Sequence, residues 1–341
     1  MNRKREILKY LAENNYANGT DLSKILGISR QAVNKHLKEL INRGEVIKEG
    51  VTRGARYSIP SDDRRRVPAA KWKKTYNLSG LEESRVFDEV LFSLNLKNLL
   101  GIRAFEITQY VFTEMVNNAI DHSESRKCSI ELEIDQYNLK CRVRDFGIGI
   151  FYSIFRKYML PDEYAAIGEL IKGKTTTMAE KHTGEGIFFT SKVVDVVTFR
   201  SHRTNLIFDN LVHDTMAEET KYLKGSEVVF RINRRSRRKI SDIFSRYAPE
   251  EYDYEFNKTR VMVKLFKSEY ISRSEAKRLI SRLDKFREII LDFKGVKSLG
   301  QGFADEVFRV FQNRHPEIDI KVENLPRVLA PVIKHVVDNR N

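Results

Sequence analysis

Cysteine is scarce: two in 341 residues, Cys128 and Cys141, at a spacing that suits neither a metal pair nor a redox motif. That excludes a disulfide scaffold and a zinc ribbon. No apolar run approaches the ~20 residues a membrane helix needs. The start, MNRKREILKYLAENN, is basic but runs straight into an amphipathic pattern and lacks the uncharged core of a signal peptide. A soluble cytoplasmic chain without a membrane partner is therefore expected. Tryptophan occurs once, at Trp72, and two of the seven prolines fall together in PSDDRRRVPAAKWKK. Acidic residues are outnumbered, 47 Asp+Glu against 61 Lys+Arg, leaving a formal charge of +14. Such an excess favours polyanionic partners, nucleic acid or nucleotides, without separating the two. With 41% hydrophobic residues the chain can bury several cores, and ~150 residues per domain suggests two or three.

At the front, Ile7, Leu8 and Leu11 give a first helix its apolar face, and Asn18-Gly19 marks a turn. Thr20 is expected to cap a second short helix, DLSKIL, that stops at Gly27. Ser29 is placed to cap a third, RQAVNKHLKELINR, with Val33, Leu37, Leu40 and Ile41 at helical spacing. EVIKEGVTRGARYSI then reads as a hairpin turning at Arg53 and Gly54.

Residues 1–60 thus resemble a winged helix-turn-helix, with S-R-Q-A-V-N-K-H-L-K-E-L as the recognition helix. The resemblance implies DNA as partner. Arg30, Gln31, Asn34 and Lys35 carry donors and acceptors suited to base edges, and Lys38, Arg53 and Arg56 suit phosphates. Residues 61–79 read as a basic, turn-rich linker.

In TEMVNNAIDHS, residues 113–123, a helix would bring Glu114, Asn118 and Asp121 within about 60° of one another, opposite Phe112, Val116 and Ala119. Such a stripe is an ordinary wet face or a binding site. Further on, a hairpin CSIELEIDQYNLKCRVRDFGIG delivers Asp145, Gly147 and Gly149 at a strand end. His182-Thr183-Gly184-Glu185-Gly186 then opens another helix.

Taken in order, these blocks resemble the GHKL ATPases, the superfamily of gyrase, histidine kinases and anti-sigma-factor kinases. TEMVNNAID is similar to the N box, DFGIG to the D-x-G-x-G box, HTGEG to the second glycine box, and Lys224-Gly225-Ser226 to the closing G-T-x-x-x-F strand with serine for threonine. The resemblance covers residues 80–235 and implies a Bergerat-type α/β sandwich that binds ATP with Mg²⁺. It implies Asp145 as acceptor for the adenine amine, Asn118 as Mg²⁺ ligand, Glu114 as general base, Asp121 in support, and Gly147, Gly149, Thr183, Gly184, Glu185, Gly186 and Ser226 around the nucleotide. Lys172 and Lys174, in IKGKTTT, are candidates to meet the β/γ-phosphates on a closing lid. His182 stands where many kinases carry a glycine, and no phospho-acceptor histidine box precedes the N box.

Residues 236–258, beginning at SRRK, read as a second charged linker. Strand and helix then alternate over 259–341, through TRVMVKLF, SRSEAKRLISRLDKF, REIILDFKGV, FADEVFRVFQNR and IDIKVEN, an α/β pattern. This part resembles a STAS-like domain, which implies a protein partner. Where phosphorylated members carry serine at the helix start, this chain has Gln301 and Gly302, with Ser298 a few residues early.

The expected whole is multidomain, α+β and α/β: an ATP-binding, DNA-binding transcriptional regulator. The alternative is a serine/threonine kinase of the anti-sigma-factor type acting on a STAS-like antagonist. Whether ATP is hydrolysed, transferred or only bound stays open, as does the homodimer that a two-fold DNA site would suit.

Overall fold

The computed structural model describes residues 3–14, 16–49, 55–59, 70–135, 137–174, 185–211, 213–250, 255–265 and 269–338. At the front, α1 (Arg3–Asn14), β1 (Ala17–Asn18), α2 (Gly19–Leu26), α3 (Arg30–Asn42), β2 (Ile47–Glu49) and β3 (Arg56–Ser58) enclose Ile7, Leu11, Leu22, Val33, Leu37 and Leu40. The strands pair antiparallel in the order β1-β3-β2. Asn18, rather than the expected Thr20, caps α2. Its side chain accepts from the Thr20 and Asp21 amides while the Asp21 carboxylate takes the Asn18 N–H, a reciprocal box two residues upstream of the hydroxyl. Ser29 caps α3 as its position predicts, and Gly27 ends α2 with φ of 63°.

The middle unit is built on β4 (Ala70–Asn77), α4 (Glu83–Leu94), α5 (Leu96–Leu99), α6 (Ile102–His122), β5 (Lys127–Ile134), β6 (Asn138–Asp145), α7 (Ile150–Tyr158), α8 (Glu163–Lys172), α9 (Gly186–Val193), β7 (Val196–Asp209) and β8 (Asp214–Asn233). Its five strands run antiparallel in the order β4-β5-β6-β8-β7. Alternate residues of β5 and β6, Ile130, Leu132, Cys141 and Val143, share one buried core with Val111, Phe112, Met115 and Val116 of α6. The polar stripe of α6 is thereby turned away from the core, as amphipathic spacing requires. Here the linker boundary moves: residues 70–77, read as linker, form the edge strand, with Tyr76 paired to Cys128 and Ala70 to Ile134.

The second linker shortens in the same way. Within it α10 (Ile240–Tyr247) packs Phe244 flat on Phe189 of α9, ring centroids 4.0 Å apart. Phe188, Phe189, Tyr247 and Phe256 continue into the core of the third unit, so the middle and third units share an aromatic seam.

That third unit comprises β9 (Lys258–Met262), β10 (Glu269–Tyr270), α11 (Arg273–Ile280), β11 (Glu288–Asp292), β12 (Ser298–Leu299), α12 (Gln301–Asp305), a π-helical stretch Glu306–Phe311, α13 (Gln312–Arg314), β13 (Asp319–Glu323) and α14 (Ala330–Asp338). Its main sheet is parallel, in the order β13-β11-β9, with β10 and β12 a separate parallel pair. Every residue of the central strand β11 is buried, which parallel strands covered on both faces demand. Its two carboxylates are paired accordingly: Glu288 with Lys258 and Lys321, Asp292 with Arg260 at 2.7 Å.

Candidate functional site

The end of β6 carries the most constrained group. Asp145 is buried, and its Oδ1 accepts from the Gly147 amide at 2.9 Å and the Ser226 amide at 3.1 Å. Burial raises this carboxyl above its ordinary value, while the two N–H donors oppose the rise. Ser226 also takes the Ile150 amide on its Oγ at 2.9 Å, so β8 grips both sides of the loop between β6 and α7. Two glycines are obligatory here. A Cβ on Gly225, whose φ is +77°, would stand 2.7 Å from Asp145 Oδ1, and one on Gly147 would overlap the Ser123 carbonyl.

That carbonyl, at the end of α6, accepts the Ile148 amide at 2.8 Å. Ser123, the last residue of TEMVNNAIDHS, is thus part of the frame that sets the loop. At the other end of the stripe, a Cβ on Gly186 would overlap the Glu114 carboxylate, so the first residue of α9 lies against Glu114. Glu114 and Glu185 both act on Tyr110, whose hydroxyl burial already pushes well above its usual range. Between the two ends stand Asn118 and Asp121, both half-buried. Asn118 Nδ2 is buried and has no hydrogen-bond partner among the described residues, a costly state for an amide unless a ligand or water meets it. The structure therefore sets Gly186 against Glu114 at one end of the α6 stripe and the loop of Asp145, Gly147 and Ser226 against Ser123 at the other, with Asn118 and Asp121 on the helix between them. Thr183 and Gly184 lie outside the described residues.

Gly149 closes the loop at φ +88°, where a Cβ would strike Ser201 Oγ and approach His202 Nε2. His202 Nδ1 in turn sits 2.9 Å from the Glu163 carboxylate. Ser201, His202 and Glu163 had no motif to announce them, being separated from the glycine blocks in the chain.

The two lysines expected at phosphates are elsewhere. Lys172 Nζ is buried, pairs with Glu169 at 2.8 Å, and donates to the Ser281 carbonyl at 2.7 Å and the Arg278 carbonyl at 3.4 Å. It neutralises the carbonyl end of α11, a favourable place for a cation. Burial lowers its ammonium, and Glu169 opposes that. Arg282 binds the same Glu169 at 3.0 Å and stacks over the Tyr158 ring at 3.7 Å. Lys174 Nζ reaches Asn257 Oδ1 and the Lys285 carbonyl, both at 3.1 Å. Both ammonium groups clasp the end of α8 to the third unit, while its apolar residues Ala166, Ile167, Leu170 and Ile171 are buried in the core of the middle unit.

Among the described residues no group of three or more His, Cys, Asp or Glu could hold a metal. No helix there is long and apolar enough to cross a membrane.

On the front unit, Arg30, Gln31, Asn34, Lys35 and Lys38 all project exposed from α3. Arg56 is exposed on β3 with its guanidinium 4.9 Å over the Tyr16 ring. Arg53 lies outside the described residues. One face thus presents five polar or basic side chains above a core held by Val33, Leu37 and Leu40.

Residues 2–46 match a family described as winged helix-turn-helix DNA-binding, and residues 275–326 match a STAS-like domain of unknown function (DUF4325). No curated protein matches the chain. Both matched stretches lie outside the five-stranded sheet. The chain is thus a mixed α and β protein with a winged helix-turn-helix of the DNA-binding class at its front and a STAS-like domain at its end.

Proposed function

We propose that the protein is a DNA-binding regulator whose middle unit is a GHKL-type domain that binds Mg-ATP and sets the affinity for DNA or for a partner of the STAS-like domain. One observation supports the reading above the others: α6 joins both glycine blocks. Its Glu114 end lies against Gly186, and its Ser123 end frames Gly147 and Ile148, nine residues or about 13 Å apart along the axis. An adenine at the Asp145 end and phosphates at the Gly186 end suit that span. The Asp145 carboxylate accepts the exocyclic amine of adenine, whereas guanine presents a carbonyl there. The start of α9, with its N–H groups and no Cβ at Gly186, favours phosphate.

The residues present fit a Mg²⁺ ion held mainly by the nucleotide. Asn118 Oδ1 would be its protein ligand, while the buried Nδ2, a donor without a partner among the described residues, would meet a phosphate oxygen. The ion, when bound, would screen the phosphate charge. Glu114, one turn away, would orient or deprotonate a water or hydroxyl.

Equilibrium binding of radiolabelled ATP and GTP to the full chain, with and without Mg²⁺, tests the reading. Expected are Mg²⁺-dependent ATP binding, little GTP binding, and at least ~10-fold weaker ATP binding in Asp145→Ala. Equal binding of ATP and GTP, or none of either, overturns it. Label that remains on protein would identify the kinase alternative, and released phosphate alone an ATPase.

A further inference from the structure

A second cavity, of ≈ 570 Å³, opens between β7, β8 and α10 on one side and β9 and β11 on the other. It shares no lining residue with the polar stripe of α6. Five cations line it, Lys192, Arg238, Lys239, Arg246 and Arg260, against three carboxylates, Asp214, Asp242 and Asp292. Two of the cations are already engaged: Arg260 with Asp292 and Glu323, and Arg238 with Asp195 at 3.2 Å. Lys192 is different. Its Nζ stands 5.1 Å from the Phe188 ring and 5.5 Å from the Phe208 ring, and it has no hydrogen bond or ion pair among the described residues. Its one charged neighbour of consequence is Arg260, which repels it. Burial and that repulsion bring the ammonium down to about 8.

An ammonium held over two aromatic faces, unpaired among the described residues and beside a guanidinium, is poorly stabilised by the protein's own groups. Aromatic faces recover part of the lost hydration but leave the charge unneutralised. An anion in the cavity would resolve it. The volume lies in the range of small-ligand pockets, and Ile171, Phe208 and Met262 supply an apolar wall for the non-ionic part of a ligand. Lysine and arginine approaching from different elements suit a group with several acceptor oxygens better than they suit one carboxylate.

We propose that this cavity binds a small phosphate ester, with Lys192 and Arg246 as its principal anion-binding groups. The site goes beyond the nucleotide reading and requires no nucleotide at Asp145. Lys192 lies on α9 six residues after Gly186, about 9 Å along the helix. Occupancy at one end of α9 therefore bears on the helix that opens at the other.

The test uses the full chain at pH 8, a limiting amine-acylating reagent, and mass spectrometry of the Lys192 peptide, with pyrophosphate and then inorganic phosphate as probes. Lys192 should acylate faster than exposed lysines, and pyrophosphate should slow it at least ~5-fold, since a bound anion both covers the amine and favours its charged form. Protection should persist in Asp145→Ala, which removes the carboxylate of the proposed nucleotide site and lies outside this cavity. It should weaken at least ~10-fold in Arg246→Ala, an exposed substitution that spares the cores. Absence of protection in the parent chain overturns the proposal. Protection lost in Asp145→Ala but retained in Arg246→Ala also overturns it, as would protection by citrate equal to that by pyrophosphate.

Discussion

Replacing Lys172 with methionine tests the clasp between α8 and the third unit. Methionine keeps most of the apolar stem and deletes the ammonium. Three interactions end together: the ion pair to Glu169 at 2.8 Å and the hydrogen bonds to the Ser281 and Arg278 carbonyls. Removing one partner of a buried pair costs about 3–5 kcal/mol. Arg282 remains on Glu169 at 3.0 Å and offsets part of this, while the carbonyls at the end of α11 lose their donor at roughly 1 kcal/mol each. A net loss of about 3 kcal/mol follows. Urea unfolding reads it directly, by far-ultraviolet circular dichroism for the whole chain and by fluorescence of Trp72, the lone tryptophan, for the edge of the middle sheet. With a slope of about 2–3 kcal/mol per molar urea, the midpoint should fall by about 1 M. Adding Glu169→Gln should recover part of the loss, because the orphaned carboxylate goes with it. A Lys172→Met midpoint within ~0.2 M of the parent would refute the assignment of the ammonium as a structural clasp.

Gly225→Ala places a Cβ 2.7 Å from Asp145 Oδ1 at φ +77°, so it should lower thermal stability by about 1–3 kcal/mol and weaken ATP binding; unchanged melting would contradict the close packing. On the DNA side, Arg56→Ala should weaken binding uniformly across sequences and reduce the slope of log affinity against log salt by about 0.9, read by fluorescence anisotropy at several salt concentrations. Asn34→Ala should instead relax base preference at one position, costing about 1–3 kcal/mol there, as selection from a random library would reveal. Lys192 has its folded-state value lowered to about 8 from 10.5, so the unfolded chain holds its proton more tightly. Stability should therefore rise with pH between about 8 and 10.5, the penalty being fully present below that window. Lys192→Met should flatten that rise and raise the urea midpoint at pH 7; an unaltered pH profile would show that the amine is well hydrated.

The winged helix was legible because its signals are local. Ser29 caps and Gly27 stops within one turn of the helices they serve, and the apolar positions recur at fixed spacing. Asp145 and Ser226 were found together only because two motifs named them; they meet across 81 positions of chain through β6 and β8. The first boundary failed for a reason of composition. AKWKKTYN is an edge strand with lysines on both faces, so its alternation is weak and reads as a solvated connection. The second failed because Arg235, Arg237 and Arg238 precede α10 and mask the apolar side formed by Ile243, Phe244 and Tyr247. Lys172 was misplaced because its neighbours pointed to a glycine-rich lid. The buried run Ala166, Ile167, Leu170 and Ile171 shows α8 covered by tertiary packing, which no local pattern reveals.

Strand β8 is twenty residues long and unbroken from Asp214 to Asn233. Asp214 and Thr215 border the basic cavity, Ser226 grips Asp145, and the Asn233 amide reaches the Arg43 carbonyl that closes the recognition helix α3. From Ser226 to Asn233 is seven steps, about 23 Å at ordinary strand rise. From Glu227 to Arg231 the strand is bonded on both edges, to β6 and to β7, and this stretch is poor at absorbing displacement. A displacement at Ser226 therefore has few places to dissipate before it arrives at Arg43, the foot of α3.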